Sequence, residues 1–198
     1  MTSYTDENRG RALAGAAAAL WLLLLAATVP ASLAQEGAPA SGPGPRGLPN
    51  FHRVSDRLYR GGQPGEGGMS ELAALGVNTV INLRDDDERA AAEETDARAA
   101  GLRYFNVPLG RFGRPTDEQV ERVMALINAP ENGVVFVHCA KGRDRTGTIV
   151  AVYRITRDRW TGGQAKKEAE RYGMKFWQRR MKDYIEDYYR RHARAAAH

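Results

Sequence analysis

The sequence has 198 residues, of which 42% are hydrophobic and 27% are charged, and its formal net charge is +5. This length and composition fit one globular domain with additional residues at an end. The single cysteine excludes an intramolecular disulfide and a zinc site built from thiolates, whereas the positive charge suits a phosphorylated or polyanionic partner.

The first part of the chain has the pattern of an export signal. Arg9 and Arg11 precede an uncharged stretch rich in Ala and Leu at residues 12–29, and Ser32 and Ala34 provide the small residues that a signal peptidase reads. We expect residues 1–34 to be a cleaved signal peptide, which predicts a periplasmic or secreted protein. The alternative is an uncleaved segment that tethers the protein to a membrane, because the apolar run approaches the ~20 residues that span a bilayer.

Two further regions follow the leader. Residues 35–50 are dominated by Gly, Pro and Ala, a composition typical of a flexible linker. Residues 51–198 are predicted to form the folded domain.

Strands and helices alternate through this domain, which predicts the α/β class. The predicted strands are at residues 54–60, 77–83, 102–107 and 134–137. The predicted helices are at residues 66–75, 89–100, 146–157, 163–172 and 176–195. One more amphipathic helix is predicted to open with a capping box of Thr116 and Gln119 and to include Ile127. The continuous apolar run at residues 134–137 is typical of a strand that is buried on both faces.

The loop after that strand carries the candidate chemistry. Residues 138–147 read His-Cys-Ala-Lys-Gly-Arg-Asp-Arg-Thr-Gly and lead into a helix. Such a loop points backbone N–H groups inward at the positive end of the helix dipole, which favours a bound phosphate dianion and lowers the pKa of a central thiol. We therefore expect Cys139 to be a nucleophile rather than only a small buried residue. Arg145 can present a planar fork to two phosphate oxygens.

The loop resembles the HC-x5-R-[ST]-G loop of the cysteine-dependent protein tyrosine and dual-specificity phosphatases, in particular their compact bacterial and atypical fungal and plant branches. This resemblance implies a three-layer α/β fold with a small central, mostly parallel sheet, and hydrolysis of phosphomonoesters through a phosphocysteine without a metal or cofactor. It also implies that Thr146 assists departure of the thiolate and that His138 fixes the loop. The residues expected to bind phosphate are Ala140, Lys141, Gly142, Arg143 and Arg145.

The general acid is left open by the sequence. The family supplies an Asp roughly thirty positions before the Cys, but residues 106–115 contain no carboxylate. Asp117 resembles the Asp found at this spacing in the fungal and plant branch and is the first candidate. Asp144 resembles an Asp in the loop of bacterial phosphatases with a broad substrate range and is the second. The acidic residues 85–87 rank third, because such a run is usually a solvated helix start.

The substrate also has two interpretations. The first is a phosphorylated protein, with phosphotyrosine as the main group. Basic residues at the positions of Lys141 and Arg143 resemble the branch that acts on inositol phosphates and phosphoinositides, which is the alternative. Arg111 and Arg114 are expected to add positive charge from the preceding loop. Other hypotheses are a catalytically weak phosphate-binding module and a sulfurtransferase.

We expect the protein to be a monomer. We do not expect it to bind nucleic acid, because the basic C-terminal helix is interleaved with acidic residues.

Overall fold

The computed structural model describes residues 45–195, so the predicted leader and the first ten residues of the predicted linker lie outside the described part. Five strands form one sheet in the order β1-β2-β5-β3-β4. They are β1 (His52–Ser55), β2 (Leu58–Gly62), β3 (Thr79–Asn82), β4 (Arg103–Asn106) and β5 (Val135–Cys139). Strand β1 is antiparallel to β2 and the other neighbours are parallel. Because β5 is central, its carboxyl end lies in the middle of one sheet edge.

Helices cover both faces of the sheet. They are α1 (Gly68–Ala74), α2 (Glu88–Ala99), α3 (Asp117–Asn128), α4 (Asp144–Arg157), α5 (Gly162–Arg171) and α6 (Arg179–Ala195), with a short 3-10 helix at Pro130–Asn132. Helices α3 to α6 pack with Ile81 and Val137 in one apolar cluster. Helices α1 and α2 pack with Val80 and Phe136 in another. Successive strand residues point to opposite faces, so the two clusters make three layers, and the predicted fold class is confirmed.

The start of the domain differs from its prediction in two ways. The single strand predicted at residues 54–60 is wrong: a turn at residues 56–57 separates antiparallel β1 from β2. Asp56 favours this turn, and its carboxylate pairs with Arg53 of β1. In addition, Leu48 is only 3% exposed and packs in the cluster with α1 and α2. The packed chain therefore begins before residue 51.

Local capping sets the beginning of several helices. Helix α3 starts with the predicted capping box of Thr116 and Gln119, and α5 starts with a second one made by Thr161 and Gln164. Asp87 caps α2 by accepting hydrogen bonds from two backbone N–H groups. Within residues 45–195, no helix combines the length and apolar character needed to cross a membrane.

Candidate active site

The loop predicted from the sequence lies at the carboxyl end of the central strand. Cys139 is the last residue of β5, and α4 begins five residues later at Asp144. The loop forms one side of a depression of about 150 Å³ that we call the catalytic pocket. It is lined by Arg111, Phe112, Cys139, Ala140, Lys141, Arg143, Asp144, Arg145, Lys175, Trp177 and Gln178.

Donors from the beginning of the domain hold the outer side of the loop. The side-chain amide of Asn50 donates to the carbonyl oxygens of Lys141, at 3.2 Å, and Gly142, at 2.9 Å. Nη2 of Arg60 donates to the same Gly142 oxygen at 3.0 Å. These hydrogen bonds fix the orientation of the peptide groups at Lys141 and Gly142 by donors that do not line the catalytic pocket.

Arg60 is itself an unusual component of this support. It is 1% exposed, and its Nε and Nη1 have no hydrogen-bond partner within the described residues. Its guanidinium carbon lies 4.3 Å from the centre of the Tyr172 ring. Burial lowers the pKa of Arg60 to about 10, although the Glu168 carboxylate opposes this change. A buried cation therefore binds the backbone of the loop at Gly142.

The loop lies directly against the end of β2 at Gly142. The residue has φ of +64°, and a Cβ built there would lie 2.3 Å from the carbonyl carbon of Gly61. Only glycine satisfies both the left-handed backbone and this close approach. The sequence at this position thus determines the tight curvature of the loop.

The surroundings of Cys139 favour the thiolate. The side chain is 4% exposed, and burial alone would raise the pKa of its thiol. The hydroxyl and backbone N–H of Thr146, the charge of Arg145 and the backbone N–H of Lys141 together outweigh burial and lower the pKa. The Thr146 hydroxyl is buried and has no hydrogen-bond partner among residues 45–195, so it is free to donate to the sulfur.

Arg145 is held by the backbone with part of its fork free. Nη1 donates to the carbonyl oxygens of Leu83, at 3.1 Å, and Leu109, at 3.4 Å, while the residue is 7% exposed and lines the catalytic pocket. Neither Nε nor Nη2 donates to protein in the described structure. That edge of the guanidinium can therefore bind two oxygens of one phosphate group.

His138 takes part in a buried polar cluster on the face of the sheet that α1 and α2 cover. Its Nε2 lies 3.0 Å from a carboxylate oxygen of Glu93 in α2, and neither ring nitrogen forms a hydrogen bond to the loop within the described residues. The other oxygen of Glu93 accepts a hydrogen bond from Asn82 at 2.8 Å, and Asn82 also donates to Tyr104. Although burial opposes it, the interaction with His138 keeps the pKa of Glu93 below its usual value. The cluster ties β3, β4 and β5 to α2 behind the active loop.

The structure separates the candidate acids. Asp144 lines the catalytic pocket, and its carboxylate accepts a hydrogen bond from the backbone N–H of Lys175 at 2.9 Å. Asp117 is not among the lining residues: its carboxylate accepts hydrogen bonds from Tyr184, at 2.8 Å, and Arg191, at 2.7 Å, both in α6. The acidic residues 85–87 do not line the pocket either. Asp144 is the one carboxylate among the lining residues described.

Of the four cations predicted near the substrate, three line the catalytic pocket and one does not. Lys141, Arg143 and Arg111 line the catalytic pocket. Arg114 does not, because it forms an ion pair with Asp187 of α6 at 2.6 Å. The structure adds Lys175, which sequence reasoning missed. No group of three His, Cys, Asp or Glu side chains suitable for a metal ion occurs in the described range 45–195.

Other contributors missed from the sequence are Asn50, Arg60, Glu93 and Trp177. Arg60 stands in the Tyr-Arg-Gly-Gly-Gln-Pro stretch at the end of β2, and the sequence of this stretch does not indicate that the arginine is buried. Glu93 likewise offered no signal, because it lies within an Ala-rich and Glu-rich helix and becomes distinctive only when buried beside His138.

Comparison with known proteins agrees with this geometry. The family model described as "DSP-PTPase phosphatase fused to NAD+ Kinase" matches residues 43–187. The chain belongs to this phosphatase family. It is accordingly an enzyme of the protein-tyrosine-phosphatase type, as the loop predicted.

Individual relatives refine the comparison. The dual specificity protein phosphatase TpbA of Pseudomonas aeruginosa strain UCBPP-PA14 is 32% identical over 165 residues, covering 77% of this chain and 73% of the relative. The crystal structure of P. aeruginosa TpbA superimposes with a TM-score of 0.60 at 29% identity, covering 69% of this chain and 83% of that one. Inositol diphosphatase DSP5 of Arabidopsis thaliana is 26% identical over 150 residues, covering 71% of this chain and 70% of the relative.

Proposed function

We propose that this phosphatase hydrolyses phosphomonoesters with Cys139 as the nucleophile, Arg145 as the phosphate clamp and Asp144 as the general acid. The observation that carries the proposal is the placement of all three side chains in one pocket at the end of β5. The lowered pKa of Cys139 supports a thiolate nucleophile.

The first step transfers the phosphoryl group to sulfur. The thiolate of Cys139 attacks phosphorus while the bond to the leaving oxygen breaks. The backbone N–H groups of the loop and the free edge of Arg145 stabilise the charge on the equatorial oxygens. Asp144 gives its proton to the leaving oxygen.

The second step returns the enzyme to its starting state. Water attacks phosphorus, the bond to sulfur breaks, and Asp144, now a carboxylate, accepts a proton from that water. The Thr146 hydroxyl stabilises the departing thiolate through the same hydrogen bond that lowers its pKa. The contact of His138 with Glu93 supports a role for His138 in holding the end of β5 rather than in proton transfer.

The walls of the catalytic pocket favour an aromatic phosphate ester. Phe112 is 64% exposed and Trp177 is 55% exposed, and both line the pocket. Exposed aromatic rings beside a phosphate site offer faces on which a phenyl ring can stack. This supports phosphotyrosine in a protein as the substrate group, in agreement with the name of the TpbA relative.

Inositol phosphates are the second candidate substrate. Lys141, Arg143 and Lys175 line the same pocket and form no ion pair within the described residues. This is more positive charge than one phosphate group requires. The Arabidopsis relative is named an inositol diphosphatase, which supports the same candidate.

The place of action follows from the leader. The basic and apolar residues before Ala34 support export from the cytoplasm, so the substrate would be met in the periplasm or outside the cell.

The test is phosphate release by the full chain, with a chelator present, from a phosphotyrosine peptide and from inositol hexakisphosphate at equal concentration. Cys139→Ser is expected to abolish turnover of whichever substrate the wild type accepts. Retained turnover in this variant would refute the phosphocysteine scheme. The ratio of the two wild-type rates decides between the substrate classes.

The acid is tested with two aryl phosphates that differ in their need for a proton. Asp144→Asn is expected to lower kcat/KM, which reports the first step alone, about 100-fold for phenyl phosphate but much less for p-nitrophenyl phosphate, because nitrophenolate leaves without protonation. Asp117→Asn is the matched control and is expected to stay close to wild type on both. A selective loss in Asp117→Asn instead would transfer the acid role to Asp117.

A further inference from the structure

A second depression adjoins the catalytic pocket. Its volume is about 400 Å³, and we call it the side pocket. It is lined by Asn50, His52, Arg143, Arg171, Tyr172, Gly173 and Lys175. Arg143 and Lys175 line both pockets, so the two depressions share a wall of two cations.

The charge of the side pocket is uncompensated. Arg143, Arg171 and Lys175 contribute three cations, and no carboxylate is among the lining residues. None of the three forms an ion pair within residues 45–195. Elsewhere in the described chain, arginines such as Arg154 pair with carboxylates. Like charges that converge on a concave surface without an acid create a potential that favours a bound anion.

The side pocket is built on the same supports as the active loop. Asn50, whose amide binds the loop carbonyls, also donates to the carbonyl oxygen of Tyr172 at 3.3 Å. Gly173 has φ of +95°, and a Cβ there would lie 3.1 Å from Cδ of Arg143. Because Gly173 has no side chain, the side chain of Arg143 can pack against it along the shared wall. The position of the side pocket relative to Cys139 is therefore set by packing and hydrogen bonds.

We propose that the side pocket is a second anion subsite that holds another phosphate group of the molecule whose scissile phosphate lies at Cys139. This inference rests on the proposed function. It gives the inositol phosphate substrates considered there a binding site for a second phosphate group. The shared cations Arg143 and Lys175 contact both phosphate groups. Arg171, which lines only the side pocket, distinguishes a multiply phosphorylated substrate from a simple phosphate ester.

The experiment measures binding without turnover. The full chain carrying Cys139→Ser is titrated calorimetrically, at fixed ionic strength, with inositol hexakisphosphate and separately with inorganic phosphate. Adding Arg171→Ala is expected to weaken hexakisphosphate binding about tenfold, the loss of one charge-assisted contact, and to change phosphate affinity less than twofold. Arg122→Ala, the matched control, removes the same charge from an exposed position of α3 that lines neither pocket, and it is expected to change neither affinity.

Each other outcome overturns the subsite. Hexakisphosphate that fails to bind, or binds equally well after Arg171→Ala, shows that no second phosphate is held there. An equal loss in Arg122→Ala shows a general effect of net charge. An equal loss for inorganic phosphate shows that Arg171 acts on the catalytic pocket or that the side pocket takes the free ion. Turnover of a phosphate ester by the wild type would leave the proposed function intact in all these cases.

Discussion

Gly142→Ala is expected to damage both stability and activity because of the way the loop meets β2. The new Cβ would lie 2.3 Å from the carbonyl carbon of Gly61, 2.4 Å from its oxygen and 2.6 Å from the nitrogen of Gly62. All three neighbours are backbone atoms, so none can move aside by changing a rotamer. The loop and the end of β2 must separate instead.

The expected magnitude has two parts. Holding an Ala at φ of +64° costs about 1 kcal/mol relative to Gly, and relieving the overlap costs about 1–3 kcal/mol more. The free energy of unfolding should therefore fall by about 2–4 kcal/mol. Because Gly142 lies between Cys139 and Arg145, a displacement near 1 Å should also lower kcat/KM about 100-fold.

The assay is urea denaturation of the full chain together with p-nitrophenyl phosphate kinetics. Gly67→Ala is the matched control: Gly67 has φ of +73° but nothing within 4 Å of the added Cβ. It should lose only the backbone part, about 1 kcal/mol, with kcat/KM unchanged. Equal destabilisation by the two substitutions would refute the argument that close packing at Gly61 determines the position of the loop.

Three further predictions concern groups around the loop. Thr146→Val should move the midpoint for alkylation of Cys139 by iodoacetamide to higher pH, and Thr146→Ser should restore it, because the hydroxyl helps to lower the pKa of the thiol; an unmoved midpoint would contradict this. Arg60→Met should lower kcat/KM about tenfold but change unfolding free energy by less than about 1 kcal/mol, since it removes a loop hydrogen bond together with a partly unsatisfied buried cation. The lowered pKa of Glu93 means that its contact with His138 stabilises the fold above the usual carboxyl pKa of 4.5 and is lost as pH falls through the lower folded value. Glu93→Gln should therefore lower the free energy of unfolding by about 2 kcal/mol at pH 7 and reduce its decrease at acid pH. Urea denaturation at several pH values measures this, and a difference between variant and wild type that is the same at every pH would contradict it.

The sequence by itself determined the features whose causes are local. The apolar run before Cys139, the spacing from Cys139 to Arg145 and the capping box at Thr116 each act within about ten residues. They were enough to predict the central strand, the phosphate loop, helix α3 and the fold class. The hairpin of β1 and β2 was missed because its turn interrupts a short run that reads as one strand.

The tertiary structure decided which distant groups meet at the loop. Asn50 contacts a carbonyl 92 positions away, and Arg60 contacts the same oxygen across 82 positions, separations at which sequence periodicity carries no information. Asp117 and Asp144 were both candidate acids from the family resemblance, but packing of α6 binds Asp117 to Tyr184 and Arg191 while the start of α4 places Asp144 at the pocket. The side pocket likewise exists because Gly173 and Asn50 bring Arg143 and Arg171 to one depression.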